Sequence, residues 1–98
     1  MSVPAVYLVE AEDDVVETHA AYEKSQPGLG DRFLISLQYR VQQIQSTPKL
    51  YGVFRRDIRA APLRGFPYIV YYRDRGTDVL IIAVQHGRRS AQRWRGRS

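Results

Sequence analysis

His86 and the arginines of the C-terminal half are the residues of this sequence best equipped for chemistry. An imidazole, with an ordinary pKa of about 6.5, gives or takes a proton near neutrality, so His86 suits a general acid or base. A guanidinium can hold the extra charge that develops on a phosphoryl group under attack, and Arg59, Arg64 and Arg73 are available for that task. Proton exchange and charge stabilisation are the chemistry that these residue types offer. Each also has a plainer reading, His86 as a polar cap on a sheet and the arginines as solvated strand or loop residues. Tyr68, Tyr71 and Tyr72 could stack on bases, but alternation along a strand puts Tyr68 and Tyr72 on one side and Tyr71 on the other, and packing against the helices explains at least one side without a further assumption and is the preferred reading. Contact with a partner is the better use for Arg59, Arg73, Arg88, Arg89, Arg93 and Trp94, because arginine and tryptophan dominate binding energy at interfaces. The alternative for the last of these is a disordered, solubilising tail.

The charge distribution points the same way. Residues 1–49 hold seven acids and four bases, a net −3, while residues 50–98 hold three acids and eleven bases, a net +8. All eleven of those bases are arginine, whose planar fork pairs bidentately with phosphate or carboxylate, whereas lysine would serve solubility alone. The basic half therefore seeks an anionic partner, either nucleic acid or an acidic protein. The absence of cysteine excludes disulfides and thiolate metal sites. His19 and His86 are the only imidazoles, a poor basis for a metal site unless carboxylates join them, so neither metal nor cofactor is expected. The longest apolar stretch, Val79 to Val84, is too short to cross a bilayer, and Met1 to Glu10 lacks the basic start of a signal peptide; a cytoplasmic location and no membrane contact are expected.

The elements that must position these residues are legible from periodicity. Val6 to Val9 reads as an opening strand. Glu10, Glu12, Asp13 and Asp14 mark the start of a first helix, in which Ala11, Val15, His19 and Tyr22 share a face until Ser25-Gln26-Pro27-Gly28 breaks it. His19 on that face is expected to be packed and hydrogen-bonded. Phe33, Leu34, Leu37, Val41 and Ile44 stripe a second helix that ends near Ser46, ahead of Pro48. The pattern then changes to alternation. Phe54 to Ala60 reads as one strand, with Phe54, Ile58 and Ala60 on one face; Tyr68 to Arg73 and Val79 to His86 read as two more. Alternation places Leu80, Ile82, Val84 and His86 on a common face. The expected fold is α+β, β-α-α-β-β-β, a helical hairpin packed on one face of a small, mainly antiparallel sheet, in a single domain over residues 1–98. Residues 88–98 form a basic C-terminal tail, or a short helix beginning at Ser90.

Taken in order, these landmarks resemble the RelE/ParE toxin superfamily over nearly the whole chain. They are the opening strand with Ala11 to Asp14 behind it, Tyr22, Phe33 and its stripe, Pro48 followed by Gly52, the arginine-bearing Arg55 to Arg59, the run Arg64-Gly-Phe-Pro-Tyr-Ile-Val-Tyr-Tyr-Arg73, and the ending Val84-Gln-His-Gly-Arg-Arg89. The resemblance implies a toxin of a type II toxin-antitoxin system, held in a hetero-oligomer by a cognate antitoxin. Its closer branch is ParE-like, which implies DNA gyrase as target: His86-Gly-Arg-Arg89 matches that branch, and no lysine follows Lys49 and no tyrosine follows Tyr72, as the ribosomal branch would have them. The alternative is a RelE-like ribosome-dependent endoribonuclease of messenger RNA, using His86, Arg73 and Arg64. A third reading is a non-toxic nucleic-acid-binding domain.

Overall fold

In the computed structural model, which describes residues 2–89 and 91–97, Ala5–Tyr7 forms strand β1 and helix α1 follows over Val9–Ser25. Leu8, the N-cap, offers no side-chain bond, so Glu10 and Glu12 supply the favourable charge at the start of the helix. Helix α2 spans Leu29–Ser46 and stops just before Thr47-Pro48, as the restriction on residues preceding proline predicts. The corner between the helices is bonded through side chains of α1. The Glu23 carboxylate accepts the backbone N–H groups of Gly28 and Asp31 at 2.9 and 3.1 Å, satisfying donors that the first turn of α2 leaves open. His19 Nε2 lies 3.0 Å from Asp31 Oδ1, so His19 is the half-buried, hydrogen-bonded residue the sequence predicts.

Gly30 sets the distance between the helices at this corner. A Cβ there would stand 2.6 Å from the His19 carbonyl oxygen, inside van der Waals contact with a backbone atom that cannot rotate away. Gly30→Ala is therefore expected to cost ~1–3 kcal/mol, read as a lower urea midpoint. A midpoint equal to the wild type's would show that the helices separate there at no cost.

The buried stripe of α2, Phe33, Leu37, Val41 and Ile44, packs with Ala11 of α1 against Ala61, Leu63, Val70, Tyr72, Val79, Ile81 and Val84. These last residues belong to or flank β3 (Ile58–Pro62), β4 (Tyr68–Asp74) and β5 (Val79–His86). With β2 (Val53–Arg55) the sheet has five strands in the order β1-β5-β4-β3-β2. β1 runs parallel to β5, and the other pairs are antiparallel. The predicted α+β architecture, a helical hairpin over one face of a mainly antiparallel sheet, is the one observed.

Two local features differ from plain alternation. The segment Phe54–Ala60 is not one continuous strand: β2 and β3 pair as a hairpin that reverses at Arg56–Asp57, with Arg56 held at φ 51°. Phe54, Ile58 and Ala60 nevertheless reach the same face, because all three contact one cluster. The second feature lies in β5. Tyr71 pairs with Ala83 and Tyr72 with Ile81, so Ile82 is the extra residue of a bulge. Leu80 and Ile82 consequently face away from the helices, whereas Val84 faces them and the His86 ring meets Tyr68, 5.5 Å between centroids. The four residues do not share the face that strict alternation gives them.

The sheet's other face carries a second cluster of Ile58, Tyr71, Leu80, Ile82, Ala83 and Trp94. The C-terminal segment closes it, with a short 3-10 turn over Ala91–Arg93 and then Trp94, which is 1% exposed. Residues 91–97 are thus a folded arm across the sheet and not a solubilising tail. Ser90, where the sequence suggested that a terminal helix begins, lies outside the described residues.

Candidate functional site

The structure does not bring Arg73 together with His86. Tyr68 pairs with His86 at one end of the β4–β5 ladder and Arg73 with Leu80 near the other, which separates His86 from Arg73 by roughly 16 Å of strand. Arg73 Nε donates to Asp57 at 2.9 Å. His86 Nδ1 accepts the Arg88 backbone N–H at 3.1 Å, and its ring rests on Tyr68, which is the behaviour of a polar cap at the end of a strand. Arg64 lines a shallow groove with Arg32, Ile35, Ser36, Tyr39 and Phe66, and its backbone carbonyl accepts the Ser36 hydroxyl at 2.7 Å. Burial pushes Tyr72 up to about 12 and raises Tyr71 above its ordinary value, so both stay protonated at neutral pH. Tyr72 donates to the Pro48 carbonyl at 2.6 Å, and Tyr68 packs edge-on against Phe33 and Tyr22.

The predicted contact residues fall into three places. Arg59 lies on the helix side of the sheet, where its guanidinium donates to the Tyr51 and Lys49 carbonyls at 2.7 and 3.4 Å and fastens the chain between α2 and β2. Arg73 is on the opposite side, beside the hairpin turn. Arg88, Arg89 and Arg93 are exposed after β5. Trp94 is buried within the chain: its ring stacks on Tyr71 at 4.2 Å between centroids and meets Phe54 at 5.9 Å. Its indole Nε1 is buried without a hydrogen-bond partner among the described residues.

A residue that sequence reasoning missed, Arg97, holds the arm in place. Its Nη1 and Nη2 donate to the two carboxylate oxygens of Asp14 at 2.7 and 3.1 Å, and Nη1 also reaches the Ile82 carbonyl at 3.2 Å. Asp14 Oδ2 further accepts the Val84 N–H at 3.0 Å, just beyond the bulge. The hydrogen bonds from Arg97 to Asp14 raise the guanidinium above its already high ordinary value, with Glu10 and Asp13 adding to the effect. Around this pair lies a cleft of about 360 Å³ in which Glu10, Asp13, Asp14 and Glu17 of α1 face Arg89, Arg93 and Arg97. The acids that open α1 therefore do more than complement its dipole: they receive part of the C-terminal basic charge.

Among the described residues, His19, Glu23 and Asp31 are the group whose ligand atoms lie close enough for one cation, all within 4.8 Å. Both Glu23 oxygens already accept backbone N–H groups of α2, so this cluster acts as the cap of that helix. No described helix is long and apolar enough to cross a membrane.

Comparison with known proteins fits this geometry. The chain covers 96% of a chain of the structure described as "Chromosomal ParDE TA system from P. aeruginosa", and 87% of its own length is aligned with a TM-score of 0.75 at 14% identity, which establishes likeness of fold. No curated protein matches in sequence. The family described as "ParE toxin of type II toxin-antitoxin system, parDE" matches residues 6–91, from the first strand through the end of β5 into the C-terminal arm. The chain belongs to the ParE toxin family of type II toxin-antitoxin systems.

Proposed function

We propose that this protein arrests growth by inhibiting DNA gyrase without itself catalysing a reaction, and that a cognate antitoxin neutralises it in a hetero-oligomer. The observation that carries this reading is the separation of His86 from Arg73 along the β4–β5 ladder, combined with the family match over residues 6–91. A ribonuclease of the alternative branch needs a base, an acid and a phosphate-stabilising cation around one phosphorus. The contacts of Arg73 with Asp57 and of His86 with Tyr68 support the non-catalytic reading.

Arg88, Arg89 and Arg93 remain exposed and are the contact residues of this reading. An acidic antitoxin segment that covers them would gain charge complementarity and exclude the target from the same surface. The test is the supercoiling of relaxed plasmid by purified gyrase. Supercoiling is expected to fall with added toxin and to return when the antitoxin is supplied in equal amount, while cell-free translation continues. Undiminished supercoiling at saturating toxin, with translation stopped, would refute the gyrase reading and favour the ribosomal one.

A further inference from the structure

We infer that a second basic site, away from Arg88, Arg89 and Arg93, binds the phosphate backbone of a nucleic-acid strand. It is a cleft of about 340 Å³ lined by Arg55, Arg56, Ile58, Arg73, Arg95 and Gly96. Its four guanidiniums come from three separate parts of the chain: the β2–β3 turn, the end of β4, and the C-terminal arm beyond Trp94.

Three observations support a ligand there. Like charges gathered in one cleft repel one another, and such an arrangement is favourable when an anion enters it. Asp57 neutralises Arg73, but among the described residues no hydrogen bond or ion pair engages the side chains of Arg55, Arg56 or Arg95. By contrast, Arg97 on the same arm is fully engaged by Asp14, so the arm has basic residues of two kinds, one structural and one unspent. The turn also places Arg56 at φ 51°, a left-handed conformation in which glycine or asparagine would be relaxed. Backbone strain of this kind persists where the surroundings hold it, and here it falls on a residue that lines the cleft.

The lining selects the class of ligand. Guanidiniums pair with phosphate oxygens through paired N–H donors. Ile58 is 7% exposed, so the walls of the cleft are largely the arginine side chains themselves, whose aliphatic stems supply apolar surface beneath their charged heads. Arginines from successive segments can meet the successive phosphates of a phosphodiester chain.

The probe is a short fluorescein-labelled DNA duplex, titrated with the whole protein in the absence of gyrase and followed by anisotropy over a range of salt. The variants are R55Q/R56Q and, with the same loss of charge outside the cleft, R32Q/R75Q. For R55Q/R56Q, affinity is expected to fall on the order of tenfold, and the slope of log K against log salt to shrink by about 2, close to one for each lost phosphate contact. R32Q/R75Q is expected to stay near the wild type. Equal weakening by the two doubles would overturn the site in favour of diffuse attraction. Absence of salt-sensitive binding by the wild type would overturn it as well. Stoichiometric binding of inorganic pyrophosphate as tight as that of the duplex would reassign the cleft to a small anion. Because gyrase is absent, failure here leaves the gyrase reading standing.

Discussion

Asp14→Ala is expected to remove ~3–5 kcal/mol of stability, the range for breaking a buried ion pair from one side. The Asp14 side chain is 6% exposed and that of Arg97 17% exposed, so water replaces little of what is lost. Two groups are orphaned at once. The Arg97 guanidinium loses both of its carboxylate contacts, and the Val84 N–H, buried in β5, loses its acceptor. Arg97→Ala is expected to do less damage, since the carboxylate keeps the Val84 bond. Asp14→Asn separates the terms, because an amide oxygen can still accept from Val84 while the ion pair is gone. Denaturant unfolding measures all three. Trp94 is the only tryptophan, so its emission reports separately whether the arm has lifted: a red shift in Arg97→Ala under native conditions is the expected sign. If Asp14→Ala unfolded within about 0.5 kcal/mol of the wild type, the level of an ordinary surface substitution, Asp14 would be a surface residue and the arm would be held by Trp94 alone.

Neither partner of this pair could have been matched from sequence. They are 83 positions apart, and Asp14 sits in a row of acids whose local explanation, a helix start, is sufficient by itself. What the sequence did reveal followed from period. The α2 stripe of Phe33, Leu37, Val41 and Ile44 repeats with the helix and is buried as a block. Tyr68 and Tyr72 against Tyr71 obey the two-residue alternation of β4, which has no irregularity of its own.

Where period was broken, reading stopped. Ile82 adds one residue to β5 and turns Val84 and His86 to the other face, and nothing in a run of Leu, Ile, Ala and Val announces which residue is the extra one. The β2–β3 reversal was hidden for a different reason: Arg56 and Asp57 occupy a position where turn chemistry favours glycine or asparagine, so the segment reads as extended. The same substitution that concealed the turn puts an arginine at its tip. The site residues divide along this line as well. Composition located the basic half, but which arginines are occupied by Asp14, Asp57 or backbone carbonyls depends on long-range contacts that only the fold supplies.

Trp94→Ala is expected to cost ~3–5 kcal/mol, as truncation of a buried aromatic does. The ring is 1% exposed, stacks on Tyr71 at an interplanar angle of 29°, and touches Phe54. Its removal would open the second face of the sheet over Tyr71 and Ile82, the region the arm exists to cover. Trp94→Phe discriminates between volume and polarity. It keeps an aromatic ring and deletes an indole N–H with no partner among the described residues, a group whose burial costs ~1–3 kcal/mol. Trp94→Phe should therefore recover most of the loss, and circular dichroism during urea unfolding measures both variants without the tryptophan signal. A tryptophan serving as a partner contact behaves in the opposite way: Trp94→Ala would leave the urea midpoint unchanged and weaken binding to antitoxin or gyrase. That outcome would mean the arm detaches and inserts Trp94 into the partner. Tyr71 would then be left bare, and Arg95 would no longer be positioned against Arg55 and Arg56, so the fate of Trp94 decides whether the phosphate-binding cleft exists in the working form of the protein.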